Sequence, residues 1–504
     1  MDIQLSANAL VDTKANLLTL PVFEEDLAKK GGTEALAALD GALGKALLAA
    51  ATQEGFKAKA GQKFAMHTLG KLPAARVLLV GLGAREKFGT ESLRVAAGAA
   101  AKEALRSGGG TLAICAPLAV EAEEEVRAVV EGLGLGAYRF DKWRSKKDDG
   151  AKEISKAIVC TPGIKKNAKL ARAVSLGTTV ADATNFARDL VNEPAMTLTP
   201  TALAQAAQKY LKGDGLQITV HDRRKIESLK MGMFLGVAQG SAEPPRLIEI
   251  RYVPKGAAAK AKPLALVGKA ITFDSGGLSL KPADAMVDMK TDMAGSAAVF
   301  AAMHVIATEV QPKFPVYAFV GTCENMPSGT AYRPGDVLTS RLGKTVEVTN
   351  TDAEGRLVLG DVLTYACETK PRGVIDLATL TGACIVALGN YTVGTFGRDE
   401  ELVNAVLDAA KAAGEDYWRL PLVPEVKDVL KSDIADMKNS GVRWGGAISA
   451  AHFLEEFVGE TPWVHLDIAG PSTSDKDRGY VSKGGTGVGV RTLVELVRRL
   501  DGQA

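Results

Sequence analysis

Short apolar runs alternate along the chain with longer stretches in which apolar residues recur at helical spacing. In the first third, three short runs rich in Val, Leu, Ile and Ala predict buried strands. They are residues 76–80, 111–115 and 156–160. Ala-rich stretches that begin at residues 33, 100 and 120 predict helices. This alternation is typical of an α/β domain with a largely parallel sheet.

A long helical pattern over residues 165–192 separates this part from the rest of the chain. Pro194 disfavours the α conformation at Glu193, so we expect the helix to end there. Strands and helices then alternate to the end of the chain. The pattern predicts a small N-terminal α/β domain over 1–165, a connecting helix over 166–191, and a large C-terminal α/β domain over 192–504 with a mixed sheet between helices.

Composition narrows the class of protein. Of 504 residues, 46% are hydrophobic and 24% are charged, which favours a folded protein over a disordered one. The net charge of +2 gives no general argument for binding nucleic acid or an anionic membrane. We expect no membrane span and no signal peptide, since no apolar run approaches 18 residues and the start lacks a basic segment followed by an apolar one. Five widely spaced cysteines without a CxxC pattern predict reduced thiols in a cytoplasmic protein.

Charged residues follow one predicted buried strand. Lys269 and Asp274 leave this strand on a glycine-rich loop, and Lys281 lies just beyond it. Asp292 stands immediately before the helix that is predicted from residue 294. Ligands of open α/β sheets bind at the carboxyl ends of strands, so this grouping predicts a site.

A second group follows the predicted strand KTVEVTN at 344–350. Asp352 and Glu354 are two residues apart, so in an extended segment both would point to one face. Arg356 follows at the start of a predicted helix. We expect this strand end to meet the first group at the same edge of the sheet.

Four carboxylates brought together would repel one another. Each like-charge pair at ~4 Å costs roughly 4 kcal/mol at an effective dielectric near 20. Divalent cations bound between the carboxylates would turn this repulsion into net attraction. A set of oxygen ligands without histidine suits Mn²⁺, Mg²⁺ or Zn²⁺ in a two-metal site. Taken singly, each carboxylate is best explained as a solvated loop residue, whereas the set as a whole favours a metal site.

A serine nucleophile is an open alternative. Ser275 lies in FDSGG, a sequence similar to the surroundings of some peptidase nucleophiles. Such a serine needs a histidine or lysine base within reach, and none of the five histidines lies in a recognisable motif. Resistance of the activity to chelators would distinguish this serine hydrolase from a metal enzyme.

The motifs resemble those of the leucyl aminopeptidases, also called cytosol aminopeptidases. NTDAEGRL at 350–357 is similar to the family signature without a gap, and VGKAITFDSGGLSLKP at 267–282 and MKTDMAG at 289–295 extend the resemblance. NEPAMTLTP at 192–200 resembles the entry to the family's catalytic domain. The resemblance covers nearly all of 185–504 and implies a catalytic domain with two metal ions, Mn²⁺ or Zn²⁺.

The resemblance also implies a role for each matching residue. One ion would be held by Lys269, Asp274, Asp292 and Glu354, and the other by Asp274, Asp352 and Glu354. A lysine that binds a metal must be neutral, so its pKa must lie well below ~10.4. Lys281 would stay charged and face the scissile carbonyl, while Arg356 would hold a bicarbonate that accepts a proton from the attacking water.

The implied reaction removes the N-terminal residue of a peptide. The free α-amino group would bind a metal, and a metal-bridging hydroxide would attack the carbonyl. The implied side-chain pocket consists of Met289, Thr379, Gly382 and Ala469, although core packing explains Met289 and Ala469 nearly as well. An apolar pocket gives about 1–3 kcal/mol per methylene, so preference for Leu should be broad.

Partners follow from the same resemblance. It implies peptide substrates with a free N-terminus, a homohexamer and no membrane. Some bacterial members of the family bind DNA, and the basic run KWRSKK at 142–147 keeps nucleic acid open. Two aspartates follow that run, so a solvated charged loop is the better interpretation.

Overall fold

The chain folds into two compact units, each with its own sheet. The computed structural model describes residues 1–28, 33–116, 122–145, 152–164 and 167–502. The first unit comprises Met1–Asn185 with Lys476–Lys483, and the second comprises Phe186–Asp475 with Gly484–Ala504. The expected fold of a smaller N-terminal and a larger C-terminal α/β part is confirmed. The domain limits expected from the sequence stay a prediction.

The sheet of the first unit has six strands among the described residues. In spatial order they are Asp2–Ser6, Ile154–Cys160, Gly110–Cys115, Ala15–Phe23, Ala74–Gly83 and Lys63–His67. All neighbours run parallel except Lys63–His67, which is antiparallel to its partner. The three predicted strands are confirmed as inner strands. The two edge strands were not predicted, because each buries a single side chain and so lacks an apolar run. The inner strand Ala15–Phe23 was not predicted either, and it contains Pro21, a residue that is uncommon in inner strands.

Helices pack against this sheet. Those predicted near 100, 120 and 165 are confirmed as Thr90–Arg106, Ala122–Gly136 and Ala168–Asn192. The third ends before Glu193 and Pro194, as expected. The stretch from residue 33 forms two helices rather than one, Glu34–Ala42 and Ala46–Gln53. Gly44 (φ 68°) and Lys45 (φ 63°) adopt the left-handed conformation between them, which ends the first helix.

The main sheet of the second unit is mixed. In spatial order its strands are Tyr417–Arg419, Val393–Gly397, Trp463–Asp467, Gly373–Ala378, Leu264–Gly268, Val316–Asn325, Arg246–Tyr252 and Leu216–His221, with Ala270–Asp274 added beside Val316–Asn325. The central strands run parallel, and antiparallel pairs lie on either side of them. The mixed sheet expected from the sequence is confirmed.

The helices of the second unit bury its core. The longer ones are Pro200–Tyr210, Ala294–Val305, Gly355–Cys367, Glu400–Ala413, Gly446–Glu455 and Val490–Leu500; shorter ones are Arg223–Ser228, Gly232–Ala238 and Gly382–Leu388. Helix Gly355–Cys367 packs its leucines and valines against strand residues such as Val267 and Phe319. Glu354 is the residue directly before this helix, and Asp292 lies two positions before helix Ala294–Val305. Both are candidate site residues.

One expectation about the sheet is wrong. The strand predicted at 344–350 is Thr345–Glu347, and it lies in a separate three-stranded sheet with Val337–Thr339 and Met437–Lys438. It is too short and too polar to enter the main sheet, because only Val346 is buried. Asp352 and Glu354 therefore do not follow a strand of the main sheet.

One helical run among the described residues, Ala283–Val310, is long and apolar enough to cross a membrane by length and composition. The most apolar part of this run is 83% buried inside the protein, which is typical of a helix in a protein core. Helices Glu34–Ala42 and Ala46–Gln53 meet the same criterion only when taken as a pair, and they are bent by 99°.

Candidate active site

Lys269 lies at a break between two strands. Strand Leu264–Gly268 ends just before it, and Ala270–Asp274 begins just after it. The register of Ala270–Asp274 against its neighbour shifts after Ile271, so the strand bends away from the main path of the sheet. The backbone N–H of Lys269 still donates to Leu377 O at 2.9 Å. This hydrogen bond holds the backbone of Lys269 at the break between the two strands.

The amine of Lys269 is surrounded by oxygen. Its Nζ lies 2.8 Å from Asp292 and 2.9 Å from Glu354 Oε1, and it donates to Thr379 O at 3.0 Å. A side chain at Gly355 would place a Cβ 2.3 Å from Lys269 Cε, so the glycine leaves the path of the lysine open. Only 4% of the Lys269 side chain is exposed. This lysine is therefore held in one place by charge and by packing.

Parallel pairing brings Asn325 beside Asp274. The two residues are register partners at the ends of their strands. Asn325 Nδ2 donates to Asp274 Oδ1 at 2.8 Å and to Thr351 O at 3.0 Å. Asn325 is fully buried. Sequence reasoning missed this residue, although a polar residue at the end of a buried strand was an available signal.

Lys281 bridges the two carboxylates at the other side of the site. Its Nζ lies 2.9 Å from Asp274 Oδ2 and 2.5 Å from Asp352 Oδ1. The side chain of Lys281 is 14% exposed, whereas that of Lys269 is 4% exposed. Lys281 is therefore the lysine closer to the open cleft.

The expected extended segment at Asp352 and Glu354 is wrong. Asn350 Oδ1 accepts from the backbone N–H of Asp352 at 2.9 Å, and this bond closes a turn. Glu354 has helical backbone angles directly before helix Gly355–Cys367. The turn nevertheless brings carboxylate oxygens of Asp352, Glu354 and Asp274 within 4.8 Å of one another.

The cluster holds four carboxylates and two lysines. Burial and the neighbouring charges shift the pKa values of both lysines and of several carboxylates. Burial lowers the pKa of Lys269, but Asp292, Glu354 and Asp274 raise it more strongly, so that without bound metal it lies above its usual value rather than below it. The pKa of Lys281 is raised in the same way against burial, mainly by Asp274 and Glu354. Burial raises the pKa of Asp292 to about 6. Burial and the charge of Asp274 raise the pKa of Glu354 to about 8.

The donor set fits divalent cations. Glu354 Oε2 is buried and accepts no hydrogen bond from the residues that the structure describes. The oxygens of Asp274, Asp352 and Glu354 are close enough to share an ion. Metal–oxygen bonds of about 2.0–2.2 Å place two ligands of one ion within this spacing. A surplus of buried negative charge with a bare oxygen is the environment that such ions stabilise.

Arg356 lies at the wall of the same cleft. Its Nη1 donates to Asn439 O at 2.9 Å, and its buried Nε has no hydrogen-bond partner among the described residues. Burial lowers the pKa of Arg356 to about 10, so the guanidinium stays charged near neutral pH. An unpartnered buried N–H of a charged group fits a small anion.

One cleft of about 540 Å³ gathers all of the predicted site residues. They are Lys269, Asp274, Lys281, Met289, Asp292, Asp352, Glu354, Arg356, Thr379, Gly382 and Ala469. Met289 and Ala469 are only half-buried, so core packing does not account for them. Thr379 also donates its hydroxyl to Asp292 Oδ1 at 2.7 Å, a contact with the charged cluster that the pocket assignment did not anticipate. The structure thus brings these residues together, while their individual roles stay predictions.

Ser275 is placed for turn formation rather than for nucleophilic attack. Its hydroxyl donates to Asn325 O at 2.6 Å and accepts from Gly277 N at 3.2 Å. Both bonds stabilise the glycine-rich loop after Asp274. The basic run at 142–147 is described only as far as residue 145, and Lys146 and Lys147 lie outside the described residues.

Comparisons with known proteins identify the family of this chain. Residues 185–494 match the model of the cytosol aminopeptidase family, catalytic domain, and residues 19–147 match that of its N-terminal domain. A probable cytosol aminopeptidase of Alkaliphilus metalliredigens is 44% identical over 98% of each chain. One of a Geobacter species is 45% identical over 99% of this chain and 100% of its own.

Two solved structures are similar along the whole chain. A mutant of tomato leucine aminopeptidase has a TM-score of 0.89 and 36% identity, covering 99% of this chain and 96% of its own. The bottromycin maturation enzyme BotP in complex with Mn has a TM-score of 0.84 and 38% identity, covering 97% of this chain and 100% of its own. The chain therefore belongs to the cytosol aminopeptidase family and is a metal-dependent aminopeptidase.

Proposed function

We propose that this chain removes leucine and other apolar residues from the free N-terminus of peptides and amino-acid amides in the cytoplasm. The observation that carries the proposal is the convergence of Asp274, Asp292, Asp352 and Glu354 with two lysines in one cleft. Two divalent cations, Mn²⁺ or Zn²⁺, would be held by these carboxylates and Lys269. When bound, such ions supply a more acidic attacking water and an electrophile for the carbonyl.

The two lysines are proposed to have different roles. Lys269 has three oxygen partners deep in the site and would serve as a ligand once its ammonium proton is lost. Lys281 would stay protonated, because its side chain is 14% exposed and water can solvate the ammonium group, whereas that of Lys269 is 4% exposed. The partial exposure of Lys281 toward the cleft lets its Nζ donate a hydrogen bond to the oxygen of the scissile carbonyl.

Arg356 is proposed to hold bicarbonate. Its unpartnered Nε and its charge support this, because bicarbonate is a planar anion that a guanidinium binds through two N–H groups. A base held there would take the proton of the attacking water, a role that no histidine in the cleft lining fills.

Met289, Thr379, Gly382 and Ala469 are proposed to receive the side chain of the N-terminal residue. Gly382 has open space where its side chain would be, which leaves room for a ligand. A pocket with few polar groups discriminates by about 1–3 kcal/mol per methylene, so Leu, Met and Ile should all be accepted.

A free α-amino group should be required. The enzyme is expected to release leucine from leucine amide and to leave N-acetyl-leucine amide intact, because acetylation removes the amine that orients the substrate. Product analysis by mass spectrometry on both substrates measures this directly. Equal cleavage of the two amides would show that the N-terminus is not recognised, and the proposal would fail.

Assembly is proposed as a homohexamer, on the basis of the resemblance stated above. Sedimentation equilibrium of the purified protein should then give about six times the 52.7 kDa mass of the chain. A fully active monomer at all concentrations would contradict this part of the proposal and leave the catalytic part intact.

A further inference from the structure

The wall of the cleft beside Arg356 carries a short segment with an exposed arginine. Residues 440–443 line the cleft directly after Asn439. Val442, Arg443 and Trp444 are exposed, and Trp444 is 76% exposed. A cation and exposed apolar side chains therefore lie next to one another at the wall of the cleft.

Hydrogen bonds hold the start of the segment. Asn439 is fully buried, donates through Nδ2 to Asn350 O at 2.6 Å, and accepts from Thr349 N at 2.8 Å. At the other end, Gly445 adopts a left-handed conformation (φ 67°) before helix Gly446–Glu455 begins. Asn439 therefore holds the start of the segment at the wall of the cleft, beside Arg356.

Arg443 differs from the other cations of the cleft. Lys269 and Lys281 are bound to carboxylates, and Arg356 is buried against a backbone carbonyl. Among the described residues, no carboxylate or carbonyl contacts the guanidinium of Arg443. The guanidinium lies over the ring of Trp444, with Cζ 5.4 Å from the ring centroid. An indole below a guanidinium limits its motion without neutralising its charge.

Arg443 lines the same cleft as the residues proposed to act in the reaction. Arg443 is four residues beyond Asn439, whose carbonyl holds Arg356. Other residues of the cleft lining, namely Met289, Thr379, Gly382 and Ala469, are proposed to receive the N-terminal side chain. Arg443 is therefore available to the part of the substrate beyond the scissile bond.

We propose that Arg443 binds a carboxylate on the leaving-group side of the scissile bond and so favours short peptides with a charged end. The carboxylate would come from the C-terminus of a dipeptide or from an acidic side chain. Trp444 and Val442 would pack against the adjoining apolar atoms. This inference rests on the proposed aminopeptidase activity and assigns its preference beyond the scissile bond.

Matched substrates test the inference and identify the source of the carboxylate. Leu-Gly is compared with Leu-Gly amide, and Leu-Asp amide with Leu-Asn amide, in the native enzyme and in Arg443→Gln. We expect the native enzyme to favour the charged member of one pair by about three- to tenfold in kcat/KM, the range of a partly exposed charged hydrogen bond. In Arg443→Gln the ratio should fall to about one. Arg443→Lys should retain part of it, because charge remains without the planar fork.

Arg224→Gln is the matched control, since Arg224 is exposed and does not line the cleft. It should leave both ratios unchanged. A native ratio near one in both pairs, or an equal ratio in Arg443→Gln and the native enzyme, overturns the inference. Failure of the native enzyme to cleave leucine amide at all is a different result, and it would overturn the proposed function itself.

Discussion

Exhaustive removal of divalent cations is expected to abolish the hydrolysis of leucine amide by this enzyme. Three buried carboxylates and the partly exposed Asp352 face two lysines, and Glu354 Oε2 has no partner among the described residues. Each like-charge contact near ~4 Å costs roughly 4 kcal/mol at an effective dielectric near 20, so the arrangement is poised to bind cations. Addition of Mn²⁺ or Zn²⁺ should restore activity.

The measurement combines metal analysis with turnover before chelation, after it, and after each metal is added back. Circular dichroism of the chelated sample controls for unfolding. Full activity without metal, together with its loss in Ser275→Ala, would replace the metal mechanism with a serine one. The contacts of Ser275 with Asn325 O and Gly277 N argue against that outcome.

Lys281→Ala is expected to lower turnover of leucine amide by roughly a hundred- to a thousandfold while both metals stay bound. Loss of one oxyanion partner costs about 2.7–4 kcal/mol in the transition state. Metal should be retained because Asp274 and Asp352 remain in place. Lys269→Ala should instead lower metal occupancy, since its Nζ lies at the centre of the proposed ligand set.

Metal content and turnover are measured on the same folded samples of both variants. Lys255→Ala serves as control, because Lys255 is highly exposed and pairs with the exposed Asp214, and both lie outside the ligand motifs. Lys281→Arg should not restore full turnover, since a planar guanidinium replaces a compact charge. Metal loss in Lys281→Ala with retention in Lys269→Ala would reverse the two roles. Near-native turnover in both would show that the active site lies elsewhere.

The amino-acid sequence by itself determined the order of buried strands and helices, because apolar spacing depends on how each segment is buried. Inner strands such as Ala74–Gly83 and the long helix Ala168–Asn192 follow directly from that pattern. Edge strands such as Asp2–Ser6 did not, since they bury little. The charged candidates could also be named, because they form a set after predicted strands and match the aminopeptidase motifs, although each carboxylate alone is explained by a solvated loop.

Only the tertiary structure decided how those residues meet. Asp352 reaches the cluster through a turn closed by Asn350, and the strand before it belongs to a separate sheet. Asn325 binds Asp274 across 51 residues of sequence, and Asn439 holds Arg356 across 83. Strand partners and register arise from packing between distant segments, which local periodicity does not record. For the same reason, the absence of a carboxylate beside Arg443 among the described residues became visible only after the chain had folded.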